Sequence, residues 1–171
     1  MAKVKLRKFR LSDLKQYYKL HANNKVLDNL LPEIKAKDIT LGNEKKWLQK
    51  NILRYRQKKP EKYHLAITAG GNLVGDARAA IDYSKKSVEI GYWIGEPYWS
   101  KGYATDTVKQ FIRLLIRKFK PKRIDAYAFS HNKASSRVLE KSGFKFIETR
   151  KKNVRKYGRW LDNLIYAIDL R

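Results

Sequence analysis

The spacing of apolar residues changes twice along this chain, and that switch limits the possible folds more than any other feature. Before Gln57, past a short extended start, the apolar side chains recur at helical intervals over about 12–22 and 40–57. From His64 to Ile94 they alternate, and from Ala104 to Phe119 the helical interval returns. Alternation marks strands with one buried face, and a 3.6-residue interval marks amphipathic helices. Strands that follow one another through short turns pair antiparallel, so the alternating stretch is predicted to be an antiparallel meander of three strands. The predicted architecture is therefore a mixed α/β domain, with a mainly antiparallel central sheet flanked by helices.

Val4, Leu6 and Phe9 lie in a short extended segment. Ser12 is placed to cap a helix running to about Ala22, with Leu14, Tyr17, Tyr18 and His21 on its buried side. Residues 23–39 read as irregular, with a helical turn around Leu27, Leu30 and Leu31. Thr40 is placed to cap a second helix to about Gln57, with an apolar stripe of Leu41, Trp47, Leu48, Ile52 and Tyr55. Pro60 stops it. Strands are predicted at His64–Thr68 and Leu73–Ile81, joined by a Gly70-Gly71-Asn72 turn. Asp82–Lys86 turns into a third strand. Val88, Ile90, Tyr92 and Ile94 share one of its faces, while Glu89, Gly91 and Trp93 share the other. A helix over 104–119 ends at Pro121. A buried strand holds Ile124, Ala126, Ala128 and Phe129, and a short helix from Lys133 to Ser142 ends at Gly143. Phe144–Thr149 and Leu164–Leu170 close the order as strands separated by a basic loop.

The composition excludes several classes. The 171 residues fit one domain, 1–171, and no repeat or linker divides them. There is no cysteine, so disulfides, thiol catalysis and Cys-ligated metals are excluded. The three histidines, His21, His64 and His131, are well separated and do not suggest a metal centre. No apolar run is long enough for a membrane span, and the N-terminus has no signal-peptide core, so the default compartment is cytoplasmic. The formal net charge is +24, spread along the whole chain and heaviest at its N-terminal end. Such a surface attracts RNA, the ribosome or another polyanion. It is equally the solubilising surface of a lysine-rich chain.

The sharpest local feature is Trp99-Ser100-Lys101-Gly102-Tyr103-Ala104-Thr105, between a strand and the start of an amphipathic helix. Unpaired N–H groups and the helix dipole favour an anion there, Gly102 admits close approach, and Lys101 adds charge. The loop is neither GxxxxGK[ST] nor GxGxxG, which disfavours nucleotide hydrolysis and dinucleotide binding. A second segment, Asn132-Lys133-Ala134-Ser135-Ser136-Arg137-Val138-Leu139-Glu140-Lys141-Ser142-Gly143-Phe144, reads locally as a capped short helix.

In their order and spacing these two segments resemble the GNAT superfamily of acetyl-CoA-dependent N-acetyltransferases, within its RimJ/RimL-like branch. The resemblance extends through "RLSDL", "NLVGDARAAID", "VEIGYWIGEPYWSKGYATDTV" and "YGRWLDNLIYAIDL". It implies the GNAT fold, acetyl-CoA as cosubstrate, no metal, and a primary amine as acceptor. Named members of this branch acetylate protein N-termini, so the expected acceptor is a protein N-terminal α-amine, although the resemblance does not itself specify it. The family's pyrophosphate loop falls on Trp99, Ser100, Lys101, Gly102, Tyr103 and Ala104, with Thr105 following. Gly102 and Ala104 match the pattern, whereas Trp99 stands where the family has Gln or Arg. The family's Asn and Ser beside the pantetheine arm fall on Asn132 and Ser135. Many GNAT enzymes carry an acidic tyrosine where this chain has Leu139, so that role is excluded here. Ser135 is either the substitute proton donor or a simple hydrogen-bonding partner of the cosubstrate.

The resemblance also implies direct attack of a neutral amine in a ternary complex. The sheet should splay at the third strand of the meander, letting the pantetheine pair with the edge near Tyr92, Trp93 and Ile94. A backbone N–H there would hold the oxyanion. An α-amine, with pKa ~7.7–8.0, needs less base assistance than a lysine at ~10.4. Glu89 is the first candidate base, directly or through water, with Glu148 a weaker one. Asp162 is expected to order the loop before the last strand, and His131 is expected to be structural. Other readings are a ribosome- or RNA-binding protein on this scaffold, or a small-molecule amine acetyltransferase. The second is disfavoured by the charge, because polyamines and aminoglycosides are cations. The oligomeric expectation is a monomer or homodimer.

Overall fold

The computed structural model describes residues 3–30 and 35–170, so the predicted turn at Leu31 lies outside the described residues. The order is β1 (Lys5–Arg7), α1 (Leu14–His21), α2 (Asn24–Leu27), α3 (Leu41–Arg54), β2 (Lys62–Ala69), β3 (Asn72–Asp82), β4 (Ser87–Ile94), α4 (Tyr103–Phe119), β5 (Arg123–Phe129), α5 (Lys133–Lys141), β6 (Lys145–Lys156) and β7 (Arg159–Asp169). The strands form one sheet in the order β1-β2-β3-β4-β5-β7-β6. Every neighbouring pair is antiparallel except β4–β5, which is parallel because α4 crosses over between them. This is a mixed, mostly antiparallel sheet flanked by helices, as the resemblance implies.

Each face of the sheet carries its own core. On one face Val88, Ile90, Ile124 and Ala126 meet Val108, Phe111 and Leu115 of α4 and Leu139 of α5. On the other, Trp93 and Ala66 pack with Phe9, Tyr17, Leu20 and Leu48 from the N-terminal helical layer. The alternation along β4 thus sends Ile90 to one core and Trp93 to the other.

Several local expectations are corrected. Ser12 does not cap the first helix: it lies inside a 3-10 turn, Leu11–Asp13, that leads into α1, and Asp13 is what fastens the start of that turn. Its carboxylate accepts from Arg10 N–H at 2.8 Å and from both Arg7 guanidinium nitrogens at 2.6 and 2.8 Å. An ionised carboxylate both accepts better than a hydroxyl and pairs with a cation. In α3, capped by Thr40 as expected, Leu41 is exposed and the buried line runs through Glu44, Leu48 and Asn51. The polar members of that line are satisfied, Glu44 by His21 at 2.7 Å and Asn51 by the Trp47 carbonyl at 2.9 Å. Residues 23–39 are not wholly irregular, since α2 is capped by the Asn23 side chain.

The largest correction is the basic loop, whose flanking residues extend β6 to Lys156 and start β7 at Arg159. Tyr157 and Gly158, both at positive φ, make a two-residue turn of the kind that suits strand twist. The extension of β6 is exposed along almost its whole length, so no buried face wrote an alternating pattern into its residues.

Candidate active site

The β4–β5 ladder runs from Ser87↔Arg123 to Ile90↔Ala126 and stops there, although both strands continue. The split opens a cleft of about 520 Å³ through the sheet. Tyr103, Ala104, Thr105, Val138 and Leu139 line it on the α4–α5 side, and Val26, Asn29, Leu30 and Phe129 on the α2 side.

The split leaves part of the β4 backbone unpaired. Gly95 N–H donates to the Val74 carbonyl, so by alternation Trp93 turns its backbone toward β3, while Tyr92 and Ile94 turn theirs toward the gap. Trp99 takes one of these groups. Its indole N–H donates to the Ile94 carbonyl at 2.6 Å, which ties the loop after β4 to the strand end. This gives the departure at Trp99 a structural role.

The N-terminus of α4 faces the same cleft. Gly102 caps it at φ 75°, and Ser100 also lies at positive φ. The first helical N–H groups therefore point outward without intrahelical partners. Asp106, in the first turn, accepts from the backbone N–H groups of Lys3 and Val4 at 2.5 and 2.9 Å, anchoring β1 beside the loop. Burial pushes the Asp106 carboxyl up, but its bonds to Gln110, Val4 and Lys3 hold it below the usual range.

Nearly all the expected cosubstrate residues meet here. Tyr92, Trp93, Ile94, Trp99, Ser100, Gly102, Tyr103, Ala104, Thr105, Asn132 and Ser135 line the cleft. Lys101 does not; its ammonium sits 5.5 Å from the Tyr98 ring centroid. The cation beside the loop is instead Lys3, whose Nζ donates to the Lys101 carbonyl at 3.4 Å. Asn132 caps α5 by accepting from Ser135 N–H at 3.0 Å. Ser135 Oγ in turn lies 3.1 Å from the Tyr92 hydroxyl. Burial pushes that phenol up to about 12, although the bond to Ser135 opposes the shift.

The candidate bases are placed differently. Glu89 does not line the cleft but opens onto an adjacent depression of about 450 Å³ with Asp82, Asp125, Lys85 and Arg150. Direct contact with an amine in the cleft is therefore corrected. Side chains on one strand face share a direction, but Arg78 from β3 is interposed between Glu89 and the cleft, 3.4 Å from its Oε1. Glu148 is exposed and paired with Arg150 at 2.7 Å. Asp162 accepts from Lys152 N–H at 2.7 Å and orders the β6–β7 hairpin. His131 stacks on Phe129.

Arg78, Tyr127 and Arg137 also line the cleft and were missed in the sequence. A sequence signal existed for Arg78: it is the lone cation in an otherwise small and apolar stretch, Ala77-Arg78-Ala79-Ala80-Ile81, that pairs with the strand of Gly91.

The Acetyltransferase (GNAT) domain family matches residues 3–145. This chain belongs to the GNAT acetyltransferases. It is an acetyl-CoA-dependent N-acetyltransferase. A similar relative of this acetyltransferase is the probable N-acetyltransferase YjcK of Bacillus subtilis (strain 168), 27% identical over 96% of this chain and 93% of the relative. Among solved structures, its fold is similar to that of RimL, the ribosomal L7/L12 alpha-N-protein acetyltransferase in complex with coenzyme A. That match has TM-score 0.88 and 20% identity, covering 99% of this chain and 96% of that one. The microcin C7 self immunity acetyltransferase MccE, in complex with acetyl-CoA and AMP, matches at TM-score 0.87 and 20% identity, over 99% and 94% of the two chains.

Proposed function

We propose that this acetyltransferase modifies the α-amine of a protein or peptide N-terminus, by direct attack on acetyl-CoA in a ternary complex. The observation that carries this reading is the cleft through the sheet, which is lined by residues from both the α4–α5 side and the α2 side and contains no carboxylate among its described lining residues. Its charged lining groups there are Arg78 and Arg137. A cationic wall disfavours polyamines and lysine side chains, and it lowers the pKa of an amine held beside it. An α-amine at ~7.7–8.0 then reaches its neutral form near neutral pH with little base assistance.

The outward N–H groups at Tyr103, Ala104 and Thr105, with Lys3 beside them, suit a pyrophosphate. The backbone of Ile94 and Tyr92 suits the amide-bearing pantetheine arm. The Tyr92 N–H, the first one facing the gap beyond Ile90, is the donor we assign to the oxyanion. Ser135 donates the proton that the departing thiolate takes up. The proton released by the amine leaves through water toward Glu89, beyond Arg78.

The test is acetyl-CoA consumption with peptides beginning in Ser, Ala, Thr or Met, against peptides whose α-amine is blocked and whose only amine is Lys. Turnover confined to free α-amines is the expected result. Turnover of the blocked lysine peptides at equal rate would exclude the α-amine reading. Failure of folded protein to bind acetyl-CoA in calorimetry would exclude the whole assignment.

A further inference from the structure

Arg78 occupies an unusual position for a cation. It comes from β3, reaches over β4 and ends at β5, on the α2 side of the point where the ladder stops. Its register partner is Gly91, and a Cβ at that position would stand 2.6 Å from Arg78 Nε. The absent side chain is therefore what lets the guanidinium lie across the strand. From there Nη2 donates to the Tyr127 hydroxyl at 3.2 Å, bridging the mouth of the split. Arg78 and Tyr127 both line the cleft, so the guanidinium is exposed to whatever occupies it.

Its donors are not used up. The Glu89 contact is long at 3.4 Å, and both side chains are partly exposed, at 37% and 45%. Such a pair contributes little and is readily exchanged. Nε and Nη1 make no hydrogen bond among the described residues. Arginine in this state is a ready fork for a carboxylate.

We propose that Arg78 reads a carboxylate of the acceptor, so that the preferred substrate is an α-amine followed one or two residues later by Asp or Glu. This rests on the N-terminal reading above and narrows it. An extended chain advances ~3.3 Å per residue, so an amine in the gap places the next one or two side chains at the Arg78–Tyr127 bridge. The same cation disfavours the protonated amine, so recognition and activation share one group.

The experiment compares kcat/KM for three peptides sharing one N-terminal residue and one tail, with Glu-Glu, Ala-Ala or Lys-Lys at positions two and three. Wild-type protein should favour Glu-Glu over Ala-Ala about tenfold or more, with Lys-Lys poorest, as expected for charge-assisted hydrogen bonds. Arg78→Gln should level the series, and Arg78→Glu should reverse it. Lys109→Gln removes the same charge from the exposed side of α4 and should leave the preference intact, which separates Arg78 from the general +24 surface. Acetyl-CoA affinity, measured by calorimetry on every variant, reports whether the site is still formed. Equal kcat/KM for all three peptides in wild type, or an acidic preference that survives Arg78→Gln, would overturn the proposal and leave N-terminal acetylation standing. Acetyl-CoA binding without turnover of any peptide would overturn both.

Discussion

The Tyr92 hydroxyl stands 3.1 Å from Ser135 Oγ, joining β4 to α5 at the edge of the split. Serine alone is a poor acid toward a thiolate whose conjugate thiol titrates near ~8.5. In the proposed mechanism a hydrogen-bonded phenol behind it would resupply the proton as Ser135 gives up its own, and burial, which pushes that phenol up to about 12, keeps it protonated and able to donate at neutral pH. Tyr92→Phe and Ser135→Ala should each lower kcat roughly tenfold to a hundredfold while changing acetyl-CoA affinity little. The double variant should be no worse than the poorer single one, since the groups act as a unit. Additive losses would show that the two hydroxyls work separately.

The pH profile of kcat/KM follows from the same groups. It should rise as the acceptor amine deprotonates near ~7.7–8.0 and then level off, because Tyr92 stays protonated well beyond that range. Glu89→Gln should cost several-fold at pH 6–7, where the amine still carries its proton, and little above pH 8.5. A profile unchanged by Glu89→Gln across pH 6–9 would assign the proton to water alone.

Gly102 holds φ at 75° where the α4 N–H groups begin to point outward. A side chain there costs about 1–2 kcal/mol of backbone strain and meets Lys3 Nζ at 3.2 Å. Gly102→Ala should therefore weaken acetyl-CoA binding about tenfold in calorimetry, with a smaller fall in kcat. Unchanged affinity would move the pyrophosphate away from this loop.

Asp13 sets the acid limit of the N-terminal layer. Burial pushes its carboxyl up, but bonds from Arg7 and Arg10 outweigh that and hold it below the usual range. Its folded pKa lies below the unfolded one, so its stabilisation is complete above the unfolded value near ~3.9 and is lost as pH falls through the folded value. Asp13→Asn should cost about 2 kcal/mol in urea melts at pH 7, and the gap to wild type should shrink below pH 4. A gap independent of pH would mean that the carboxylate charge is not what matters.

Much of the architecture was legible before any coordinates. The meander over β2–β4 and the helices α4 and α5 follow from apolar spacing, because each has one buried face that must be apolar at a fixed interval. The proposed cosubstrate wall came from the resemblance, whose motifs can be recognised for a related reason. Its contacts are local in sequence: a strand end, a glycine loop, a helix start and a cap. Strand pairing that stops short, with both strands continuing, was expected in outline at β4 but needed the ladder to locate it at Ile90.

The proposed acceptor side was not legible. Arg78 is 49 residues from Tyr127 in sequence, and Lys156, which donates to the carbonyls of Leu27 and Leu30 at 2.5 Å each, comes from the far end of the chain. Polar side chains leave no periodic trace, since their partners are set by which strands become neighbours. Glu89 shows the difference most directly. Sequence by itself determined its strand face, because alternation is a property of the backbone. Only the tertiary structure decided that Arg78 stands between it and the cleft, because that depends on a β3 side chain crossing β4 over a residue with no Cβ.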